Sequence, residues 1–302
     1  MDQVTIKNSN LSLTILNYGA VIQRLMVLDK NNSPINVVVG LELPEAYFED
    51  KKSLGATIGR YAGRISGGGF NLDHSNYQLQ QEEGVHLHGG KNGFSKKFWN
   101  IDEVEEGENP SVSLSYTSLH LEEGYPGQLE VKVTYRLRAN ALEIVHEAET
   151  DRPTVINLTN HSYFKLDDHH SLEEHRLTLN CNGYLETDDK ILPTGKILPV
   201  ESTDYDFQKE KSLKSIDLDT PFVVNDNSAF VAKIHSQISG ISMKVSSNQP
   251  AVVVYTPPEF PAICFETQNF PDAPNFDHFP TSVLRPGETY INKSIFEFDL
   301  VN

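Results

Sequence analysis

A two-residue hydrophobic period, repeated along most of the chain, limits the fold more than any other feature. Leu11 to Leu16 alternates apolar and polar residues. Leu129, Val131, Val133, Tyr135 and Leu137 recur at every second position, as do Leu142, Ile144, His146 and Ala148. The same holds for Leu177, Leu179 and Cys181, for Ile241, Met243 and Val245, and for Phe296, Phe298 and Leu300. Strand side chains alternate between faces, so this pattern predicts half-buried antiparallel strands. Val37–Val39 and the run Val252 to Tyr255 add short apolar strands. Turn-forming clusters, among them Gly67-Gly68-Gly69 and Pro257-Pro258, separate the runs. Only Pro44 to Asp50 reads as a short helix, with its proline in the first turn. No repeat or low-complexity linker divides residues 1–302. The expectation is one domain, all-β, built as a large and mainly antiparallel β-sandwich.

The 42 acidic against 25 basic residues give a formal charge of −17. Nucleic acids and anionic membranes need basic patches, so neither is expected as a partner. No apolar run approaches membrane-spanning length, and Met1 to Lys7 lacks the apolar core of a signal peptide. Cys181 and Cys264 form neither a disulfide framework nor a CxxC motif, which suits buried free thiols in a reducing cytoplasm.

Phosphate-loop and GxSxG signatures are missing. His86 and His88 stand two apart, so on a strand both would face one side and, with a third histidine, could hold a metal. Equally, His88 before Gly89-Gly90 could project from a strand end where a ligand approaches the backbone. In Asn157-Leu158-Thr159-Asn160-His161-Ser162-Tyr163-Phe164, amides, a hydroxyl and aromatics crowd together, as in a sugar pocket. Glu266, between Phe265 and Thr267, has no local cation; it is either an outward-facing strand residue or a costly functional carboxylate. Of Arg60 and Arg64, either could clamp ligand hydroxyls, although surface ion pairs are the ordinary fate of arginine.

In chain order, the segments Ile58 to Ile65 (IGRYAGRI), Leu87 to Gly90 (LHGG), Glu122 to Gly127 (EEGYPG), Asn157 to Phe164 (NLTNHSYF), Glu266 to Asn275 (ETQNFPDAPN) and Phe279 to Tyr290 (FPTSVLRPGETY) resemble those of the galactose mutarotase (aldose 1-epimerase) family. The resemblance runs along nearly the whole chain. It implies a supersandwich fold and a small-molecule aldose as substrate, such as galactose or glucose, whose α and β anomers are interconverted. It also implies Glu266 as catalytic base, His161 as catalytic acid, and Arg64, His88 and Asp219 as substrate-binding residues. Asp219 is followed by Thr220-Pro221-Phe222 where the family usually has His-Asn-Phe, and Asp217 competes for its role. Gly63 replaces a common Asn, and the stretch from Tyr255 to Cys264 is shorter than in many members.

Anomerisation of this kind moves protons without redox, so neither cofactor nor metal is expected. The five residues should meet in one cleft with aromatic walls. An acid and a base serving neighbouring oxygens should lie roughly 4–8 Å apart, as carboxylate and imidazolium. Aromatic burial would raise the Glu and lower the His, against their mutual attraction. Two rivals remain: a non-catalytic carbohydrate-binding protein of the same fold, and a metal-dependent enzyme using His86, His88 and His161.

Overall fold

In the computed structural model, residues 1–214, 216–225 and 229–301 are described. The period-two segments become strands and build three principal sheets. The N-terminal sheet pairs Gln3–Lys7, Ser12–Leu16, Val21–Leu28 and Pro34–Asn36 in that order. A nine-stranded sheet contains the long strands Leu129–Arg138, Ala141–Thr150 and Tyr290–Leu300 side by side. A six-stranded sheet, called here the cleft sheet, runs in the order Tyr163–Phe164, Ile263–Gln268, Ala251–Tyr255, Asp219–Val224, Cys181–Thr187 and Pro193–Pro199. All its pairings are antiparallel.

One apolar core joins the three sheets. It takes Leu13 and Ile22 from the first, Val131, Val133 and Phe296 from the second, and Phe222, Val252, Val254 and Phe265 from the cleft sheet. Phe164 stacks on Phe296 across the sandwich, ring centroids 5.1 Å apart. Burial of this apolar surface is the main force holding the layers together. The expected antiparallel sandwich is therefore present.

Local readings differ at three places. The run Leu177, Leu179 and Cys181 divides between His175–Leu179 of the nine-stranded sheet and Cys181–Thr187 of the cleft sheet. Pro44–Glu49 winds as a 3₁₀ helix, as the proline allowed. Val37–Val39, predicted as a strand, forms only an isolated bridge at Val38 to Phe164. Val37 and Val38 fill the core, so hydrophobicity there reports burial rather than ladder pairing. Among the described residues, no helix is long and apolar enough to cross a membrane.

Candidate active site

The even and odd faces of the cleft sheet do different work. Phe222, Val252, Val254 and Phe265 point into the core. The opposite face carries two rows of side chains set by register. One row follows Asp219↔Tyr255, Tyr255↔Cys264 and Cys264↔Tyr163. The next follows Pro221↔Val253 and Val253↔Glu266. Continuing the Tyr163↔Cys264 register by two residues puts His161 opposite Glu266. These rows floor a cleft of about 250 Å³ that Asp219, Tyr255, Tyr163, Glu266 and His161 all line.

His161 Nε2 stands 3.4 Å from Glu266 Oε1. That is closer than the 4–8 Å expected from the reaction alone. The reason is the backbone path: His161 lies in the two-residue link between Thr159–Asn160 and Tyr163–Phe164, and Tyr163–Phe164 pairs with Ile263–Gln268, so the two side chains rise from neighbouring segments. Both residues are buried, 4% and 3% exposed. Glu266 Oε2 has no hydrogen-bond partner among the described residues. Burial pushes the Glu266 carboxyl up to about 8, helped by nearby Asp219 and opposed by Arg64. Burial likewise pulls His161 down to about 4. Burial thus outweighs attraction, and from about 4 to about 8 the pair holds one exchangeable proton. That proton can sit on the carboxyl, or cross to Nε2 to leave carboxylate and imidazolium. Beneath the ring, Cys264 Sγ lies 3.7 Å from His161 Nδ1.

The far wall comes from connecting segments. Strand Arg64–Ser66 pairs with Val85–Leu87, and Arg64 and His88 both reach the cleft. His88 lies just past the strand end in a left-handed conformation, φ +51°. That turn breaks the two-residue alternation, so His86 and His88 do not share a face, contrary to the strand reading. His86 is fully buried between Gln80 O and the Tyr125 hydroxyl. The metal triad of His86, His88 and His161 is therefore not assembled. His88 Nδ1 accepts the Gly63 N–H at 3.2 Å, so its proton sits on Nε2. Burial, then the charges of His161 and Arg64, hold His88 well below its usual pKa and so neutral. Gly89 must be glycine: its φ is +84° and a Cβ would lie 1.8 Å from Gly59 O.

Arg64 Nη2 approaches Asp219 Oδ2 at 3.6 Å, the two half-buried side by side. Burial raises the Asp219 carboxyl while Arg64 opposes the rise. Asp217 stays outside this cleft, so Asp219 is the aspartate placed with Arg64. Arg60 does not clamp a ligand. Its guanidinium is buried on Pro126 O, Gly127 O and Ser118, bracing the Glu122 to Gly127 turn.

The amides around His161 are also scaffolding rather than pocket. Asn157 bonds Ala62 O and the Asn269 N–H, and Asn160 bonds Gly55 O. Asp272 and Asn275 tie the segment after Glu266 to Ser66. Of that cluster, His161 and Tyr163 alone line the cleft. Tyr163 and Tyr255 supply its aromatic wall, 4.9 and 6.5 Å from the His161 ring. Tyr163 belongs to the cluster that the sequence marks as a sugar pocket, whereas Tyr255, in a continuous apolar run, carries no local signal.

One ligand atom each from His88, His161 and Glu266 lie within 4.8 Å of one another, so these three could hold a metal ion. Equally, a carboxyl and an imidazole in contact can pass protons in opposite directions to two adjacent oxygens of one ligand.

The sequence profile of the family described as aldose 1-epimerase matches residues 2–297. The galactose mutarotase of Rattus norvegicus is 35% identical, covering 99% of this chain and 94% of that protein. The aldose 1-epimerase of Escherichia coli (strain K12) is 29% identical over 96% of this chain and 93% of its own. The crystal structure of an aldose epimerase homologue from C. elegans superposes with a TM-score of 0.94, at 31% identity, covering 100% of this chain and 99% of that one.

Proposed function

The chain belongs to the aldose 1-epimerase family, and from that premise we propose that it interconverts the α and β anomers of a hexose with Glu266 as base and His161 as acid. The contact of His161 Nε2 with Glu266 Oε1 at 3.4 Å in the cleft floor carries this reading. The C1 hydroxyl oxygen and the ring oxygen of a pyranose share one carbon, so two touching side chains can serve both. Glu266 carboxylate takes the C1 hydroxyl proton. The C1–O ring bond breaks as the carbonyl forms, and the ring oxygen takes the proton from His161 imidazolium. The open aldehyde turns about C1–C2, and the same steps run backwards on its other face.

Each ring opening moves the pair from carboxylate and imidazolium to carboxylic acid and neutral imidazole. The second arrangement is the one burial favours. The closed sugar favours the first, by donating its C1 hydroxyl to the carboxylate and accepting from the imidazolium. A dry site keeps both proton positions within reach, so the pair resets without exchange with bulk water. Neutral His88 offers an Nε2–H to the ring-oxygen side. Arg64 and Asp219 hold the remaining hydroxyls, and Tyr163 and Tyr255 meet the apolar C–H face. Galactose and glucose are the substrates this reading favours.

The test is the decay of optical rotation of freshly dissolved α-galactose and α-glucose, with and without exhaustive chelation. Acceleration unaffected by the chelator is expected. A loss restored by Zn²⁺ would instead assign His88, His161 and Glu266 to a metal. Arg64→Lys should lower kcat/KM by roughly tenfold, because an ammonium cannot reproduce the guanidinium fork facing Asp219. Unchanged kinetics in that variant would leave Arg64 as an ordinary ion-pair partner.

A further inference from the structure

An imidazole that trades protons with a sugar must do so at one nitrogen. His161 Nε2 faces Glu266 Oε1 and is the nitrogen placed for that exchange. A neutral imidazole carries a single proton, and the partner of the far nitrogen decides where it rests. If Nδ1 keeps a proton throughout, Nε2 is bare after each transfer and ready for the return. If Nδ1 were bare, the neutral ring would hold its only proton on Nε2 and could not release it.

Cys264 occupies the far side of the ring. Its Sγ lies 3.7 Å from His161 Nδ1, within reach of a hydrogen bond to sulfur. The pairings Tyr255↔Cys264 and Tyr163↔Cys264 set it between the two tyrosines of the aromatic wall. Cys264 is fully buried and stays out of the cleft lining, so it meets the imidazole and not the sugar. Among the described residues, no other side chain bonds Nδ1. Burial, then the charges of Glu266 and Asp219, holds the thiol well above its usual pKa, so the sulfur is neutral. The main-chain carbonyl of His161 also acts on the ring and favours its charged form. A carbonyl only accepts and a thiol sulfur accepts weakly, so these neighbours suit an Nδ1 that keeps its N–H. A carboxylate behind the ring would hold the imidazolium and oppose release of the Nε2 proton. A neutral sulfur orients the ring without adding that charge.

We propose that Cys264 is a positioning residue for the acid: its sulfur accepts the His161 Nδ1–H, fixes the tautomer of the ring and aims Nε2 at the sugar ring oxygen. The inference rests on the anomerisation reading of the cleft. Cys264 touches neither substrate nor reacting atoms, so it acts on the proton-transfer step rather than on sugar binding.

Cys264→Val and Cys264→Ser separate this role from packing. The first fills the space and offers no acceptor; the second keeps one. With α-galactose, Cys264→Val should lower kcat about tenfold, the worth of one lost hydrogen bond, and leave KM within about twofold. Cys264→Ser should stay within about threefold of wild type in both. The pH profile of kcat/KM is the second readout. Without an acceptor on Nδ1 the imidazolium is less favoured, so the acid-side loss near 4 should move to lower pH in Cys264→Val and stay in place in Cys264→Ser. The other titratable groups at the ring, Glu266, His88, Tyr163 and Tyr255, are common to all these proteins. Cys264→Ala should show the same loss and the same shift, and it carries the test where Cys264→Val does not fold. Wild-type kcat and pH profile without the acceptor overturn the role of the sulfur. So does a loss confined to KM, or one that Cys264→Ser shares in full. No acceleration by wild type overturns the anomerisation reading, and this inference with it.

Discussion

Glu266→Gln is expected to lower kcat/KM for hexose anomerisation by about 10²–10⁴-fold while leaving sugar binding measurable. The amide keeps the shape and the contact with His161 but cannot take the C1 hydroxyl proton. The same variant should be more stable than wild type at neutral and alkaline pH. Glu266 sits 3% exposed with one oxygen unpartnered. Its folded-state value near 8 lies above the ordinary 4.5. The contribution of a raised group is complete below the unfolded value and is lost as pH rises through the folded one. Wild type should therefore lose roughly 1.4 kcal/mol per pH unit between those limits, relative to Gln. His161, lowered from 6.5 to about 4, acts in the opposite sense and is shared by both proteins. It masks the trend in wild type alone below about 6.5 but cancels in the comparison. Denaturant melts of the two proteins from pH 5 to pH 9 measure the gap. A gap that does not widen with pH would place the carboxyl in an unperturbed environment.

His161→Asn should cost a similar 10²–10⁴-fold, because asparagine holds no transferable proton for the ring oxygen. The shape of what remains is more informative than its size. With the acid removed, residual catalysis depends on Glu266 carboxylate alone. The residual rate should then rise as pH climbs towards and past the Glu266 value, the reverse of wild type. A residual rate that still falls on the alkaline side would mean that His161 does not share the proton of Glu266.

Much of this arrangement was legible in the chain, for physical reasons. Period-two runs such as Leu129 to Leu137 report a buried face directly, so the strands and the sandwich followed. Motif resemblance pointed to Glu266, His161, His88, Arg64 and Asp219, and the fold brings all five to one cleft. What was not legible is whatever depends on pairing between distant strands. The spacing of His161 from Glu266 is set by the register of Tyr163 on Cys264, which no local pattern encodes. The same holds for Tyr255, opposite both Asp219 and Cys264. Parity failed at His86 and His88 because one left-handed residue reverses the face. Polarity misled around His161, since Asn157 and Asn160 spend their amides on backbone groups. Burial decides the protonation of the pair, and burial is a property of the assembled layers.

The proton shared by Glu266 and His161 is the centre of the mechanism, and the pH profile of kcat/KM measures it. Decay of freshly dissolved α-galactose is followed polarimetrically from pH 3.5 to pH 9.5, with the buffer-catalysed rate subtracted at each point. The expected result is a plateau bounded by losses near 4 and near 8, where the pair gains a second proton or loses its only one. A rate no faster than buffer, or one that keeps climbing beyond pH 8, would contradict a one-proton pair of Glu266 and His161.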